Sequence, residues 1–324
     1  MNWNKVDKIL NKYLSIYKRK QEILKDNIQA IFDLKIKNLQ AIANNYDLSR
    51  FKRFLNQNME YIKDNDYVYY MAQKYLKRGK TNYKNILEVM ILVNYAKFEN
   101  DLSNSQFDTF KNITKDVYED TSKQCEEMGF KSKRKIKYWD YVLTYMLLPN
   151  EKGLTYKELN NSITIYNASQ IYKQAVIDIY QGKELNVENP IYKNIFDAQQ
   201  RKEINLKKEP SIDRFYGYID DESSYLINML KVAIFKEYGV KKCQFRAIED
   251  SRTTKMCDSL NNQVFSINEL NIYGRYSKLD DKEITYRTKG LKVGDNQPPI
   301  TNNYHHCRSW LEPYKEKQWK KKQY

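Results

Sequence analysis

Trp3, Val6, Leu10, Tyr13 and Tyr17 recur at steps of three and four, the spacing of one apolar stripe on a helix. The stripe resumes at Leu24, Ile28, Ile31, Leu34, Leu39 and Ile42, which predicts a single long helix to about Asn44. Its register drifts, which argues against a long, strict coiled coil. Residues 1–148 contain no proline and just two glycines, Gly79 and Gly129, so strong helix breakers are nearly missing. Further helices are predicted at 48–64, 66–78, 82–99, 104–128 and 133–148, with Asp101 to Ser105 as a polar break between two of them.

The run from Pro149 to Gly153 is the first strong turn. Thr155 and Glu158 after it have capping-box spacing, and helical periodicity then runs to about Tyr180. A turn at Gly182 and a polar connection containing Pro190 follow. From about residue 211 the texture changes. Asp220 to Ser224 opens a helix whose acidic first turn suits the helix dipole, and Gly239 stops it after Tyr238. Cys243 to Ala247, Gln263 to Ile267 and Ile284 to Lys289 read as short strands. The expected fold is therefore a mainly α N-terminal helical region followed by a smaller α+β C-terminal domain with short strands and long loops. The expected divisions are 1–148 helical, 149–210 a helical connection, and 211–324 the α+β domain with a basic tail.

Composition narrows the class of protein. No apolar run approaches the roughly 20 residues that span a bilayer. The N-terminus lacks the basic, apolar, then small pattern of a secretion signal, so a cytoplasmic origin is expected. Four cysteines, at 125, 243, 257 and 307, are too scattered for a disulfide scaffold. The net charge of +15 attracts polyanions through counterion release, although a bias toward Lys, Asn, Ile and Tyr also inflates lysine without any binding role. Tyrosine, at 29 residues, dominates the aromatics.

Candidate chemistry concentrates in the last quarter, which holds both histidines and two of the cysteines. Asp250 or Ser251 is placed to cap a short helix from Arg252 to Leu260. On it Thr253, Met256, Cys257 and Leu260 share one face. Asn261-Asn262 suits a tight turn with a left-handed residue, feeding a strand at Gln263, Val264 and Phe265. Pro298-Pro299 fixes an extended approach to Tyr304-His305-His306-Cys307-Arg308. Cys257, His305, His306 and Cys307 are of the right types for zinc. Three adjacent residues do not readily reach one ion, so three protein ligands plus a carboxylate or water is the realistic count; a packed, hydrogen-bonded loop is the other reading. Asp250, Cys257, His306 and Cys307 also permit a toxin-like or nuclease-like enzyme. No phosphate-cradling glycine loop, GxSxG or HExxH selects catalysis, and the expectation is a protein that is not an enzyme. In the tail, Lys315, Lys317, Lys320, Lys321 and Lys322 alternate with aromatics and can follow a DNA backbone.

These residues resemble the minor head proteins of tailed bacteriophages, the Mu F-like head-morphogenesis family. The family pattern is a D-x-R-[TV] segment, a cysteine, L-[DN]-G with a short strand, and then P-P-x-H-x-x-C-R. Asp250, Arg252, Thr253, Cys257, Leu260, Asn261, Val264, Phe265, Pro298, Pro299, Cys307 and Arg308 match it over about 211–314. Glu222 stands at what looks like the family's helix opening. Thr254 stands where many members have a second cysteine, Tyr304 at the family histidine with His305 and His306 displaced toward Cys307, and Asn262 at the turn glycine. The resemblance implies a low-copy virion protein at the portal vertex inside the head, made in the host bacterial cytoplasm. Its implied partners are the portal protein, major capsid or scaffold protein, and packaged double-stranded DNA, with which some members are thought to be ejected.

Overall fold

The computed structural model describes residues 3–132, 156–198, 226–247, 260–268, 270, 276–278, 284–286 and 309–316. The chain forms two compact units, one from 12–106 and 148–215, the other from 1–11, 107–147 and 216–324. As expected, the N-terminal part is mainly helical and the C-terminal part is a smaller α+β module with short strands.

The first helix, α1 (Trp3–Phe32), buries Val6, Leu10, Tyr13, Tyr17, Leu24, Ile28 and Ile31, the residues of the apolar stripe. It stops twelve residues short of the expected end. Lys35 adopts φ +48°, and the following segment spends its backbone hydrogen bonds elsewhere. Ala43 N–H donates to Thr81 at 2.8 Å, while Tyr83 and Lys84 N–H groups donate back to Ala41 and Leu39. Leu39 and Ala43 are buried with Ile42 exposed between them, a pattern that period four mimics but the backbone resolves as extended pairing.

Helix α2 (Asn45–Gln57) is capped by Asn44, whose Oδ1 accepts the Asp47 N–H at 2.8 Å. Asn58 interrupts the expected 48–64 helix: its side chain donates to the Phe54 carbonyl, and α3 (Met59–Lys63) restarts beyond it. Helix α4 (Asp66–Leu76) is capped by Asn65. Helix α5 (Tyr83–Glu127) then runs 45 residues, about 68 Å, straight through the expected break. The polar residues there bond along the helix: Ser105 Oγ to the Asp101 carbonyl, Ser103 Oγ to Glu99, and Asn104 to Asn100. Short polar side chains disfavour helix chiefly by competing for backbone, and here they bond one turn back instead. Gly129, at φ +80°, ends α5 with a Phe130 N–H to Cys125 carbonyl bond.

Helix α6 (Tyr156–Tyr180) ends at Gly182 as expected, with φ +67°. Pro190 is not in a connection but opens α7 (Pro190–Ala198), where its missing N–H costs nothing. In the helical unit Phe196 stacks on Tyr95 at 6.5 Å with rings 2° from parallel, and Tyr192 meets Phe32 at 5.2 Å. The buried Tyr192 hydroxyl donates to Asp178 at 2.8 Å; burial and that carboxylate push the phenol well above its usual range. Gln21 ties α1 to the Phe196 carbonyl at 2.9 Å.

In the other unit α8 (226–237) is buried on nearly every side and closes at Gly239, φ +68°, as the sequence predicts. Strands β1 (Lys242–Arg246), β2 (Val264–Ser266) and β5 (Trp310–Tyr314) form an antiparallel sheet in the order β2-β1-β5. Cys243 faces Phe265 and Pro313 across it, and Phe245 faces Leu311. Strands β3 (Tyr276–Lys278) and β4 (Ile284–Tyr286) make a separate antiparallel pair. Residues 133–148, Thr155 and the acidic opening at 220–224 lie outside the described residues.

Candidate functional site

One end of the three-stranded sheet gathers the chain on either side of the first motif segment and just after the second. β1 ends at Arg246 opposite Trp310, where β5 begins, and β2 begins opposite Gln244. Ala247, Leu260 to Gln263 and Ser309 therefore converge at that end. Asn262 sits at φ +66°, the left-handed residue the Asn-Asn turn predicts. Its N–H donates to the Phe245 carbonyl at 2.8 Å, and Phe245 N–H donates to Gln263 at 2.9 Å. Asn261 Oδ1 accepts the Ala247 N–H at 3.1 Å, and Arg246 reaches Asn262 Oδ1. Leu260 is half-buried, and Phe265 is buried in the sheet. Glu222, Asp250, Arg252, Thr253, Cys257, Pro298, Pro299, His305, His306, Cys307 and Arg308 lie outside the described residues. The same holds for Lys317, Lys320, Lys321 and Lys322. Lys315 is described: it is exposed, donates to the Met128 carbonyl at 3.1 Å and lies 5.6 Å from the Phe130 ring. One of its three donors thus serves the carbonyl end of α5, where the helix dipole favours a cation.

Sequence reasoning missed a second polar constellation, on α8. Because Phe245 spends its N–H and C=O toward β2, its partner Leu311 turns both backbone groups outward from the sheet. Asn228 and Lys231 receive them. Leu311 N–H donates to Asn228 Oδ1 at 3.2 Å, Asn228 Nδ2 donates to the Ser309 carbonyl at 2.9 Å, and Lys231 Nζ donates to the Leu311 carbonyl at 2.9 Å. Asn228 is 0% exposed and Lys231 1%. A buried strand edge needs such partners, because an orphaned backbone group there costs free energy. The signal in the sequence is a pair of polar residues three apart in an otherwise apolar run, Leu226 to Phe235.

Burial pushes the Lys231 ammonium down to about 8, against the opposing pull of Glu312, Asp120 and Cys125. Glu312 is lowered too, but by its partners and against its burial. Burial raises it, but hydrogen bonds from Arg246 (2.8 Å) and Trp310 (3.0 Å), with the Arg246 and Lys231 charges, hold it below the usual range. Cys125 and Cys243 are buried thiols pushed up to about 12 by desolvation, so neither is a thiolate near neutral pH. Among the described residues no group of three His, Cys, Asp or Glu side chains is arranged to hold a metal, and no helix is long and apolar enough to cross a membrane.

The Lys231 shift carries a measurable consequence. The unfolded chain holds that proton to about 10.4, the folded chain to about 8, so between these values the unfolded state binds more protons and stability rises with pH. Relative to Lys231→Met, the wild type is expected to gain about 2 kcal/mol between pH 7.5 and 10. Denaturant titrations of both proteins at the two pH values measure it, and the subtraction removes the opposing contribution of the cysteines. Parallel pH profiles for the two would contradict a buried, titrating Lys231.

No family model, curated protein or solved structure matches the chain.

Proposed function

We propose that this chain is a minor head protein of a tailed bacteriophage, a structural and assembly component held at low copy near the portal vertex and in contact with packaged DNA. The observation that carries the reading is the convergence of Ala247, Leu260 and Ser309 at one end of the sheet. The Asp-Ser-Arg-Thr and Cys segment runs between the first two, and the Pro-Pro to Cys-Arg segment leads into the third. This convergence of the flanking residues supports the resemblance, in which the two segments, some 50 positions apart, belong to one domain.

A structural rather than catalytic role is supported by what the described polar groups do. Asn228, Lys231, Asn261 and Lys315 all serve backbone, and Glu312 is spent on Arg246 and Trp310. The net charge of +15 supports residence beside DNA. The portal, capsid and scaffold contacts, and residence inside the head, follow from the resemblance.

Mass spectrometry of washed, DNA-filled particles tests the proposal. The chain is expected at a small fraction of the major capsid protein's abundance, and to cross-link to the portal protein. Its absence from such particles, with normal expression in the infected cell, overturns the reading.

A further inference from the structure

The helical unit carries a cleft that the head-protein reading does not use. It has a volume of about 240 Å³ and lies between α2 and the start of α5. Its floor is apolar: Phe51 and Ile86 are buried, and Phe54 and Met90 are half-buried beside them. Its rim is not. Arg50, Arg53 and Gln57 stand exposed along one face of α2, at the three-and-four spacing that puts residues on the same side of a helix. Arg50 lies 5.6 Å from the exposed Tyr46 ring, and neither guanidinium is ion-paired among the described residues. Asp47 lines the cleft as well. One of its oxygens, Oδ2, accepts the Tyr83 hydroxyl at 2.7 Å, and Asn44 in turn donates to Tyr83 at 3.3 Å.

The chemistry of such a site is specific. An apolar floor accepts a ring, two unpaired guanidinium forks accept a phosphate, and a carboxylate facing the same space favours a donor on the ring. A fatty or aromatic carboxylate satisfies the first two and leaves Asp47 against an apolar group, which is unfavourable. A nucleobase with an exocyclic amine satisfies all three. We propose that this cleft binds a nucleoside phosphate, with the base on Phe51, Phe54 and Met90, its amine at Asp47, its edge at Gln57, and the phosphate on Arg50 and Arg53. The ligand is either a free nucleotide or an unpaired nucleotide within a strand, which present the same groups. The inference does not depend on where the chain resides, and its failure would leave the head-protein reading untouched.

Calorimetric titration of the full chain with AMP, CMP and UMP, adenosine, inorganic phosphate and octanoate tests it. AMP and CMP are expected to bind, with UMP and unphosphorylated adenosine each about tenfold weaker or worse, the scale of losing one charge-assisted hydrogen bond. Arg50→Gln and Arg53→Gln, on an exposed face, should each weaken AMP about tenfold with the fold kept, and Met90→Trp should fill the cleft and abolish binding. Competition by oligo(dC) points to an unpaired strand nucleotide as the source, and its failure to compete points to a free nucleotide. Octanoate binding more tightly than AMP, AMP affinity indifferent to both arginines, or no AMP binding at millimolar concentration overturns the proposal.

Discussion

Asn228→Leu is expected to destabilise the C-terminal unit by about 4 kcal/mol, although leucine is apolar, branched at the same carbon and compatible with a helix. The cost does not come from the helix. It comes from the Leu311 N–H and the Ser309 carbonyl, which lose their partners in a place water does not reach. Each stranded group costs about 1–3 kcal/mol, and two are stranded together. Amide exchange gives a local readout beside the denaturation midpoint, because the Leu311 N–H is the donor in question. Its protection should fall further than that of the β1 amides bonded to β2. An unchanged midpoint with unchanged Leu311 exchange would show that Asn228 is incidental to the edge. Asn228→Asp offers a graded case: it keeps an acceptor for Leu311 but sets a carboxylate against the Ser309 carbonyl, and it should fall on the unstable side of wild type.

The second large effect is expected at Phe196. Truncation to alanine should cost the helical unit about 3–5 kcal/mol, the usual range for a buried phenylalanine. The ring is 0% exposed and parallel to Tyr95, so its removal opens a cavity that α5, a long and stiff helix, is poorly able to close. Helix α7 has nine residues and cannot hold itself together by propensity, since isolated helices that short are marginal in water. Losing its main anchor therefore also weakens the Gln21 bond to the Phe196 carbonyl and the Tyr192 contact with Asp178. Phe196→Leu should cost much less. A loss under about 1 kcal/mol for the alanine variant would mean that α7 is held chiefly through Tyr192.

Part of this architecture is legible in the sequence, for identifiable reasons. The α1 stripe, the glycine stops at 129, 182 and 239 and the Asn-Asn turn at 261–262 depend on neighbours within a few residues, and local chemistry decides them. The end of α1 is not legible, because the apolar spacing through Leu39 and Ala43 suits a helix as well as the extended segment; residues 81–84 decide it. The continuity of α5 through 101–105 is hidden in the same way, since serine and asparagine there bond back one turn instead of capping a new helix. The Asn228–Lys231 pair depends on a strand about 80 positions later, and no local pattern names its partner. Of the motif residues, Leu260, Asn261, Val264 and Phe265 fall among those described, and they form the turn and strand that their residue types suggest.

The edge held by Asn228 and Lys231 also limits how the molecule can polymerise. A sheet lengthens by offering free backbone groups to a newcomer, and at β5 the outward groups of Leu311 are already taken from within the same chain. Among the described strands of this sheet, growth is left to β2, which has three residues and a single large apolar side chain, Val264, turned partly to solvent. So short a template gives an incoming strand little to grip. A chain rich in tyrosine and asparagine gains from a sheet with one side closed and the other too brief to seed a fibre.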